Sequence, residues 1–436
     1  MDIAVLGTGY VGLVTSVCLS EIGHEVTCID VDKEKVKKMA LGISPIYEPG
    51  LVELMTSNIN NGRLHFTVNH KEGLANKKII YIAVGTPQKK DRSADLRFIV
   101  QAAKDIAHNI KNDVIIVTKS TVPVGTNMYI KELILENLTT DLKVEIVSNP
   151  EFLREGSAIK DTFYGDQIVI GSENDGPASI LEKIYKPFGV PVFKTDIYSA
   201  EMIKYASNAF LASKISFINE MANMCEKIGA NIDDVAKGMG QDRRIGSHFL
   251  RAGIGYGGSC FPKDTQALVK MAENVQCDLG IIRSTIEINE LQHTVLLKKA
   301  KERFGNLVGK RLALLGLTYK PNTDDIRGAP SIPISEQLIK EGANIIAYDP
   351  VGMEKARAIL PKEIQYAGSL EEALLNADLA FILTEWDEII EYVENKLMEE
   401  PVIFDGRNCF SLEDAKKLNV EYHSIGRPAV LKGKDA

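Results

Sequence analysis

The first residues constrain the fold more than any other part of this sequence. Residues 2–6, "DIAVL", form an apolar run typical of a buried parallel strand. The glycine-rich turn "GTGYVG" follows at once. "VGLVTSVCLSEIG" then has the apolar spacing of a helix that ends at Gly23. A strand, a tight turn and a helix in this order predict the beginning of an α/β domain with a parallel sheet.

The alternation of strand-like and helix-like segments divides the 436 residues into three parts. Strand patterns recur up to residue 196 and return after residue 306 in the same order. The stretch 197–305 opens with one long helical pattern, and further helical patterns follow it. We therefore predict an α/β protein with two Rossmann-like parallel-sheet domains, 1–196 and 306–436. They are joined by a helical middle section, 197–305, with a long central helix.

The glycines of the first turn have the spacing Gly7-x-Gly9-x-x-Gly12, which between a strand and a helix indicates dinucleotide binding. Such glycines let a pyrophosphate approach the free N–H groups at the helix start. Asp30 ends the second strand-like segment about 20 residues on, where a carboxylate binds the ribose 2′-hydroxyl and repels a 2′-phosphate. We expect NAD rather than NADP, held by Gly7, Gly9, Tyr10, Val11, Gly12 and Asp30. The alternatives are FAD or no ligand. The turn "GLTYKPN" that opens the second domain lacks these glycines, and we expect it not to bind a dinucleotide in the usual way.

Charge and cysteine content argue against several other classes of protein. The net charge is −8 and the cations form no stripe, so nucleic acid is not the expected partner. The six cysteines form no Cys-x-x-Cys pair and do not cluster with the seven histidines, so we expect no metal site and no disulfide. Cys18 lies on the apolar side of the first helix and is expected to be buried. No apolar run is long enough to span a bilayer, and the first residues do not resemble a signal peptide. We expect a cytoplasmic protein with no membrane partner.

The stretch "GYGGSCFPKD" places Cys260 behind a run of glycines. Proline is favoured in the first turn of a helix, so Pro262 predicts a helix that begins just after the cysteine. The positive potential of a helix N-terminus and the charge of Lys263 both favour the thiolate. The alternative is a packed cysteine in a tight turn, which is the usual state of a free cysteine.

A reactive thiol in a protein that binds NAD predicts the formation of a carboxylate. Oxidation of an alcohol to a carbonyl needs only a base and a hydride acceptor. An aldehyde carbon must first become tetrahedral, and a thiolate achieves this by forming a thiohemiacetal. Oxidation of the thiohemiacetal leaves a thioester that water cleaves. Two alternatives remain: a dehydrogenase that stops at the aldehyde or ketone, and a non-catalytic NAD-binding protein on the same fold.

Segments along nearly the whole chain resemble the UDP-glucose/GDP-mannose dehydrogenase family. They are "GTGYVGLV", "PIYEPGL", "VGTP", "KSTVPVGT", "NPEFLREGSAI", "AEMIKYASNAFLASKISFINE", "GGSCFPKD", "KPNTDDIR" and "FDGRN". The resemblance implies oxidation of the C6 alcohol of a nucleotide sugar to an acid, in two NAD-dependent steps on one enzyme. UDP-glucose, giving UDP-glucuronate, is the expected substrate. GDP-mannose or another nucleotide sugar is the alternative.

The resemblance also implies roles for three residues that act on the reacting carbon. Cys260 would be the nucleophile. Lys204 and Asn208 lie four residues apart on one face of the long helix, and they would hold the oxygen that becomes an oxyanion. For Lys204 the alternative is a place on a solvated helix face, which the apolar sequence around it disfavours.

By the same resemblance, three residues would transfer protons. Asp264 and Thr121 would order a water molecule, and Glu151 would take part in general-base catalysis, including thioester hydrolysis. Further contacts with NAD would come from Lys35 (where the family often has arginine), Thr86, Thr121, Glu155, Lys263 and Arg327. The nucleotide sugar would be held by Glu151, Phe152, Leu153, Lys204, Asn208, Phe249, Leu250, Arg251, Gly253, Gly257, Lys320 and Arg407.

The resemblance finally implies a homodimer. We expect it to form around the long helix, which should begin near Ser199. Arg244 would then reach the substrate bound to the partner subunit.

Overall fold

The computed structural model describes residues 1–396, 401–418 and 420–432. The chain divides into two compact units, Met1–Ser207 and Asn208–Ala436. The described strands of the first unit are β1 Asp2–Leu6, β2 Glu25–Ile29, β3 Leu64–Thr67, β4 Ile79–Ile82, β5 Val114–Thr118, β6 Val144–Ser148, β7 Ile168–Ser172 and β8 Val192–Thr195. Its helices are α1 Tyr10–Glu21, α2 Lys33–Ala40, α3 Leu51–Asn60, α4 His70–Gly73, α5 Arg97–Asn109, α6 Thr126–Asn137, α7 Ala158–Tyr164 and α8 Asp175–Tyr185, with a 3-10 helix at Lys186–Phe188.

The strands of the first unit form one sheet in the order β3-β2-β1-β4-β5-β6-β7-β8. Helices cover both of its faces. The central strands are therefore buried on both sides, and all four residues of β4 are buried. Burial on both faces is why these strands appear in the sequence as continuous apolar runs rather than as alternating patterns.

One pair of strands departs from the predicted parallel arrangement. β6 and β7 are antiparallel, with Ser148 opposite Gly171, whereas β7 and β8 are parallel. The helix between β6 and β7, α7, has only seven residues. The last two strands therefore run against the first six.

The long helix α9, Ile197–Ile228, begins two residues before the expected start and runs from the first unit into the second. The remaining helices are α10 Ile232–Gly240, α11 Phe261–Asn274, α12 Gly280–Gln292, α13 Val295–Phe304, α14 Ser331–Lys340, α15 Met353–Ile359, α16 Leu370–Leu374, α17 Asp387–Lys396 and α18 Leu412–Lys417. The strands of the second unit are β9 Arg311–Leu315, β10 Asn344–Tyr348, β11 Gln365–Tyr366, β12 Leu379–Ile382, β13 Val402–Asp405 and β14 Tyr422–His423.

The second sheet has the order β11-β10-β9-β12-β13-β14, and every neighbouring pair is parallel. In both sheets the first strand of the unit lies between the second and the fourth, which is the doubly wound arrangement. Leu314, Phe381 and Phe404 lie in the core on one face of the second sheet, and Leu315 and Trp386 lie in the core on the other. The predicted fold class, two Rossmann-like sheets with a long helix between them in sequence, is confirmed.

The turn between β1 and α1 requires glycine at two positions. Gly7 has a φ of +92°, and a Cβ there would lie 2.8 Å from the carbonyl oxygen of Ala83. A Cβ on Gly12 would overlap the carbonyl oxygen of Gly7. The helix that follows ends at Glu21 and is capped near Gly23, as predicted, and Cys18 is fully buried within it.

The corresponding turn of the second sheet is closed by a carboxylate of the protein. Asp349, the residue after β10, accepts hydrogen bonds from Leu317 N at 2.6 Å, Thr318 N at 3.1 Å and Trp386 Nε1 at 3.2 Å. Asp349 is 1% exposed. Asp30 has the equivalent place directly after β2.

Across the part of the chain that the structure describes, no helix is both long enough and apolar enough to cross a membrane.

Candidate active site

The β1–α1 turn is open where a ligand would approach. Helix α1 begins at Tyr10, so the N–H groups around Gly9, Tyr10 and Val11 belong to the first turn, which has no intrahelical acceptors. Apart from the chain neighbours of Gly9, no described residue has an atom within 4 Å of the position that a Cβ on Gly9 would occupy. The free donors, the dipole of α1 and this open space fit a pyrophosphate group.

Asp30 is held by four donors at the end of β2. Its Oδ2 accepts hydrogen bonds from Thr8 N at 3.0 Å, from the Thr8 hydroxyl and from Lys35 Nζ at 3.0 Å, and its Oδ1 accepts one from Asp32 N at 3.1 Å. Burial alone would raise the pKa of the Asp30 carboxyl, but these hydrogen bonds outweigh it and hold the pKa at about 2. Asp30 is therefore ionised, and Lys35 is its ion-pair partner.

Thr86 and Thr121, both predicted to contact NAD, lie together. They follow the carboxyl ends of β4 and β5, and Thr86 Oγ1 donates a hydrogen bond of 2.9 Å to the carbonyl oxygen of Thr121. Ser120 Oγ donates to the carbonyl oxygen of Val84 at 2.6 Å and so links the same two loops. Ligands of doubly wound sheets bind at this edge.

Glu151 and Lys204 form a buried ion pair. Their side chains are 6% and 4% exposed, and Lys204 Nζ lies 3.2 Å from Glu151 Oε1. The second oxygen of Glu151 accepts a hydrogen bond of 2.6 Å from Leu153 N, and Lys204 Nζ lies 5.1 Å from the centre of the Phe152 ring. The interpretation of Lys204 as a solvated surface lysine is wrong. A buried pair of this kind holds an ammonium and a carboxylate where neither is screened by water.

Sequence reasoning did not find Lys119, which belongs to the same cluster. It directly follows β5, and its Nζ lies 5.7 Å from the centre of the Tyr185 ring. Burial lowers the pKa of Lys119 to about 8, Glu151 opposes this effect and Lys204 adds to it. Its only signal in the sequence is its place in "KSTVPVGT", where spacing gives no indication of the charges opposite.

Glu48, in "PIYEPGL", was also missed. It is 6% exposed and accepts hydrogen bonds from Gly156 N at 2.6 Å, Ala158 N at 2.7 Å and the Tyr10 hydroxyl. It therefore ties the loop that follows Glu151 to the beginning of α1. Glu155, predicted to lie beside the nicotinamide, is half-buried in that loop.

Cys260 lies in the second unit, directly before α11. Pro262 is in the first turn of this helix, as predicted, and Asp264 N donates a hydrogen bond of 2.8 Å to the carbonyl oxygen of Cys260. The thiol is half-buried, and its Sγ lies 3.7 Å from Ser259 Oγ. The sulfur is thus at the N-terminus of a helix of 14 residues.

The glycines before Cys260 are required by packing. Gly255 and Gly258 have φ values of +93° and +87°. A Cβ on Gly257 would overlap the carbonyl oxygen of Gly328, and one on Gly258 would lie 2.7 Å from the Tyr319 ring. The loop is therefore glycine-rich because it is tightly enclosed.

Asp264, at the end of the first turn of α11, contacts Asn208, another predicted catalytic residue, and Lys263, a predicted NAD contact. Its Oδ2 accepts a hydrogen bond of 2.6 Å from Asn208 Nδ2, and its Oδ1 lies 2.6 Å from Lys263 Nζ. Asp264 is 1% exposed. The charge of Lys263 is thus paired with Asp264.

Arg407 connects three loops of the second unit. It donates to the carbonyl oxygens of Leu383 at 2.7 Å, Gly255 at 3.1 Å and Tyr319 at 3.0 Å. Arg251 Nη2 donates to the carbonyl oxygen of Asn408 at 3.2 Å. Both arginines therefore contribute to loop structure as well as to the local positive charge.

Other predicted cations of the second unit lie at its surface. Arg327 is paired with Asp325 at 2.7 Å, and Arg244 is paired with Asp242 at 2.6 Å; their side chains are 63% and 85% exposed. Lys320 Nζ lies 5.4 Å from the centre of the Tyr319 ring.

Phe249 has a strained backbone. Its φ is +63°, a region that costs a bulky residue about 1–3 kcal/mol. Its ring lies 6.3 Å from that of Phe261, and the next residue, Leu250, is buried. Strain of this kind persists only where the surrounding structure imposes it, and Phe249 is one of the predicted substrate contacts.

Among the described residues, no three His, Cys, Asp or Glu side chains are grouped so as to hold a metal ion. All six cysteines are free thiols.

Comparison with known proteins assigns most of this chain to one family. Residues 1–189 match the NAD binding domain of the UDP-glucose/GDP-mannose dehydrogenase family, residues 198–291 its central domain and residues 313–412 its UDP binding domain. The chain belongs to this family.

Individual members of the UDP-glucose/GDP-mannose dehydrogenase family align with the chain from end to end. It is 56% identical to UDP-glucose 6-dehydrogenase YwqF of Bacillus subtilis (strain 168), covering 99% of both chains. It is 45% identical to UDP-glucose 6-dehydrogenase of Rhizobium meliloti (strain 1021), covering 98% of this chain and 100% of that one. The structure of a UDP-glucose dehydrogenase from the hyperthermophilic archaeon Pyrobaculum islandicum matches with a TM-score of 0.92 at 37% identity, covering 98% of each chain.

Membership of the UDP-glucose/GDP-mannose dehydrogenase family identifies the protein as an NAD-dependent dehydrogenase. The open turn at Gly9 and the ionised Asp30 fit that cofactor, which replaces the alternatives of FAD and of no ligand. The family's UDP binding domain indicates a nucleotide-sugar substrate. The interpretation of the chain as a non-catalytic NAD-binding protein is therefore set aside.

Proposed function

We propose that the protein oxidises UDP-glucose to UDP-glucuronate in two NAD-dependent steps, with Cys260 as the nucleophile of the second. The observation that carries this proposal is the half-buried thiol of Cys260 at the N-terminus of α11. An alcohol dehydrogenase that stops at the carbonyl has no use for a thiol there. UDP-glucose as substrate is supported by relatives at 56% and 45% identity, both named UDP-glucose 6-dehydrogenase.

The first oxidation needs a base and a group that stabilises the substrate oxygen. NAD, when bound, accepts a hydride in each of the two oxidations. The carboxylate oxygen Oε1 of Glu151 lies 3.2 Å from Lys204 Nζ, and we assign Glu151 to the general-base role. Lys204 and Asn208, one turn apart on α9, donate hydrogen bonds to the oxygen on which negative charge develops.

The second oxidation passes through a covalent intermediate on Cys260. The thiolate sulfur forms a bond to the aldehyde carbon, and the carbonyl π electrons move to oxygen and give the thiohemiacetal as its alkoxide. Loss of a hydride from that carbon leaves a thioester on Cys260. Water then adds to the thioester carbon and gives up one proton, and the C–S bond breaks to leave the free thiolate and a carboxylic acid. The acid releases its remaining proton to solvent and becomes the carboxylate.

Thioester hydrolysis requires a positioned water molecule. Asp264 has an anionic carboxylate paired with Lys263 and hydrogen-bonded to Asn208, and we assign it, with Thr121, to ordering this water. Glu151 would take the proton that the water loses. Each sugar consumed therefore yields two reduced cofactors and consumes one water.

The remaining predicted contacts extend the proposal to both ligands. For NAD they are Gly7, Gly9, Tyr10, Val11, Gly12, Asp30, Lys35, Thr86, Thr121, Glu155, Lys263 and Arg327. For the nucleotide sugar they are Glu151, Phe152, Leu153, Lys204, Asn208, Arg244, Phe249, Leu250, Arg251, Gly253, Gly257, Lys320 and Arg407.

A homodimer through α9 is also part of the proposal. Phe210, Phe217 and Met224 are spaced seven residues apart on one face of this helix and are 66%, 46% and 52% exposed. Ile228 extends the face and is 63% exposed. Exposed apolar residues in a helical stripe are typical of an interface, and a second copy of α9 would cover them. Arg244 would act in the active site of the partner subunit.

Three domains, 1–196, 197–305 and 306–436, remain the proposed division. The family matches at residues 1–189, 198–291 and 313–412 support it. We also propose a cytoplasmic location, because six free thiols suit a reducing compartment.

The proposal is tested by counting NADH formed per sugar nucleotide consumed, across a panel of UDP- and GDP-sugars. We expect two NADH per UDP-glucose, with UDP-glucuronate as product. One NADH per sugar, with an aldehyde or ketone as final product, would overturn the carboxylate chemistry. Faster turnover of GDP-mannose would overturn the substrate alone.

A further inference from the structure

The segment that leads to Cys260 is buried and yet has no regular secondary structure. Residues 252–258 are all buried, and the stretch from Arg251 to Cys260 contains neither helix nor strand. Backbone N–H and C=O groups without a ladder of their own must find partners elsewhere when they are buried. Side chains of two helices supply these partners at Gly253 and Tyr256.

Asn289 of α12 binds Tyr256 at both backbone groups. Its Oδ1 accepts a hydrogen bond of 2.7 Å from Tyr256 N, and its Nδ2 donates one of 3.0 Å to Tyr256 O. Asn289 is 6% exposed. A side-chain amide that forms both bonds fixes the two peptide groups on either side of Tyr256.

Gln292, one turn further along α12, binds the same segment at Gly253. Its Nε2 donates a hydrogen bond of 2.7 Å to Gly253 O, while Asn219 of α9 accepts one of 2.8 Å from Gly253 N. Asn223 Nδ2 donates to Gln292 Oε1 at 2.9 Å, which sets the orientation of the Gln292 amide. Gln292 is 1% exposed and Asn219 is fully buried.

We propose that Asn289 and Gln292 are positioning residues for Cys260: by holding the backbone at Tyr256 and Gly253, they fix where the thiol lies at the start of α11. The inference rests on the proposed role of Cys260.

A displacement at Tyr256 would reach the thiol because the residues between them have no room to absorb it. Gly257 is pressed against the carbonyl oxygen of Gly328, and Gly258 against the Tyr319 ring. Cys260 then precedes α11 directly, and its carbonyl oxygen already accepts the first helical hydrogen bond. The short path from Tyr256 to Cys260 therefore behaves as a rigid connection, and a shift of about 1 Å at a reacting atom reduces rate by as much as a hundredfold.

The test uses Asn289→Asp and Gln292→Glu, which keep the side-chain shape but remove the donor when ionised. A protonated carboxyl can still accept one hydrogen bond and donate the other, so acid should restore what the substitution removes. We expect kcat to fall about tenfold to a hundredfold at pH 9, to recover towards pH 6, and the KM for NAD to stay unchanged. The control is Asn344→Asp, which removes an exposed donor to the carbonyl oxygen of Gly309. It should leave kcat unaltered at every pH.

A second measurement does not depend on the reaction. The rate at which iodoacetamide alkylates Cys260, read by mass spectrometry with the exposed Cys277 as internal reference, should fall and recover with pH in the same way. Normal kcat and a normal Cys260 alkylation rate in folded variants would overturn the inference. Should Asn289→Asp fail to fold, Gln292→Glu, which retains its bond from Asn223, decides the question. Absence of UDP-glucose oxidation by the unmodified chain would overturn the proposed function, and the alkylation rates would still test the positioning role.

Discussion

Asn208 and Asp264 are joined by a hydrogen bond of 2.6 Å, from Nδ2 of the amide to Oδ2 of the carboxylate. Lys263 Nζ lies 2.6 Å from the other oxygen of the same carboxylate. Both carboxylate oxygens of the buried Asp264 therefore have a partner. Asp264 links α9 to the start of α11, in addition to its proposed role in ordering a water molecule.

Asp264→Asn is expected to destabilise the fold and to slow turnover. The amide keeps the shape but leaves Lys263, whose side chain is 19% exposed, without its anion. Loss of one partner of a buried pair costs about 3 kcal/mol or more. Urea denaturation and steady-state kinetics would measure both effects. Asp278→Asn is the matched control, because Asp278 is paired with Arg283 at the surface and is 78% exposed. Equal stability of the two variants would contradict the prediction.

Cys260→Ala is expected to abolish formation of UDP-glucuronate while the protein folds normally. The first hydride transfer does not require the thiol, so an aldehyde can still form. Cys260→Ser should retain a bound sugar adduct, because an alkoxide leaves far less readily than a thiolate. Product analysis by chromatography and intact mass would detect these outcomes.

Iodoacetamide should inactivate the unmodified protein, and UDP-glucose should protect it. With Cys277→Ala as control, UDP-glucuronate produced at a near-normal rate by Cys260→Ala would show that the thiol is structural.

Asp30→Ala is expected to reduce the preference for NAD over NADP. The carboxylate that would repel a 2′-phosphate is lost, and Lys35, now without its partner at 3.0 Å, can pair with the phosphate. The ratio of kcat/KM for the two cofactors measures the change, while the KM for UDP-glucose should stay constant. Equal use of both cofactors by the unmodified protein would show that Asp30 does not contact the ribose.

Lys119→Met is expected to stabilise the protein near neutral pH. The pKa of Lys119 is lowered to about 8, below the ordinary value of 10.5, so the unfolded state binds more protons between these values. Stability attributable to this lysine therefore rises with pH across that window, and the full cost of the buried charge is present below pH 8. Removal of the charge should add about 2 kcal/mol at pH 7, after a discount for partial solvent access, and the gain should disappear near pH 10.5. Thermal unfolding at pH 7 and pH 10.5 measures this gain, and Lys78→Met is an exposed control. The same stability difference between Lys119→Met and the unmodified protein at both pH values would contradict the prediction.

Arg244→Ala is expected to raise the KM for the sugar nucleotide and to leave the affinity for NAD nearly unchanged. Phe217→Glu, on the exposed face of α9, should instead produce monomers that are inactive. Arg97→Ala is a close control for the first variant, because Arg97 is 82% exposed and pairs with Asp95 at 2.6 Å in the same sequence spacing. Sedimentation velocity measures the state of association. A fully active monomer would contradict a role for Arg244 in the partner's site.

The sequence predicted the strands that are buried on both faces and failed for those at the edges. β1, β4 and β5 are continuous apolar runs, because helices cover both sides of them. β3 and β8 have mixed sequences, and Phe193 and Lys194 of β8 are exposed. β11 and β14 have two residues each, which is too short for any periodicity. The antiparallel direction of β7 depends on the path of the chain before it, and the local sequence pattern contains no information about that path.

The residues of the candidate site also fall into a group that local sequence predicts and a group that it does not. Residues whose role depends on local geometry, such as Gly7, Gly12 and Cys260 before Pro262, were predicted because turn and helix-start rules are local. Residues whose role depends on partners far along the chain were missed. Glu48 binds backbone more than 100 residues away, and nothing within its own segment indicates that contact.

Asp30 and Asp349 occupy equivalent places in two copies of one topology, and their tolerance to substitution should differ in kind. Asp349 Oδ2 accepts hydrogen bonds from Leu317, Thr318 and Trp386, so most changes at Asp349 should lower the amount of folded protein in a cell. Changes at Asp30 should chiefly alter which cofactor is used. A library of variants scored separately for abundance and for NAD-dependent activity per folded molecule would therefore rank the two positions in opposite order. The position directly after the second strand is thus used for the architecture of the second sheet at Asp349, and for the proposed recognition of the cofactor at Asp30.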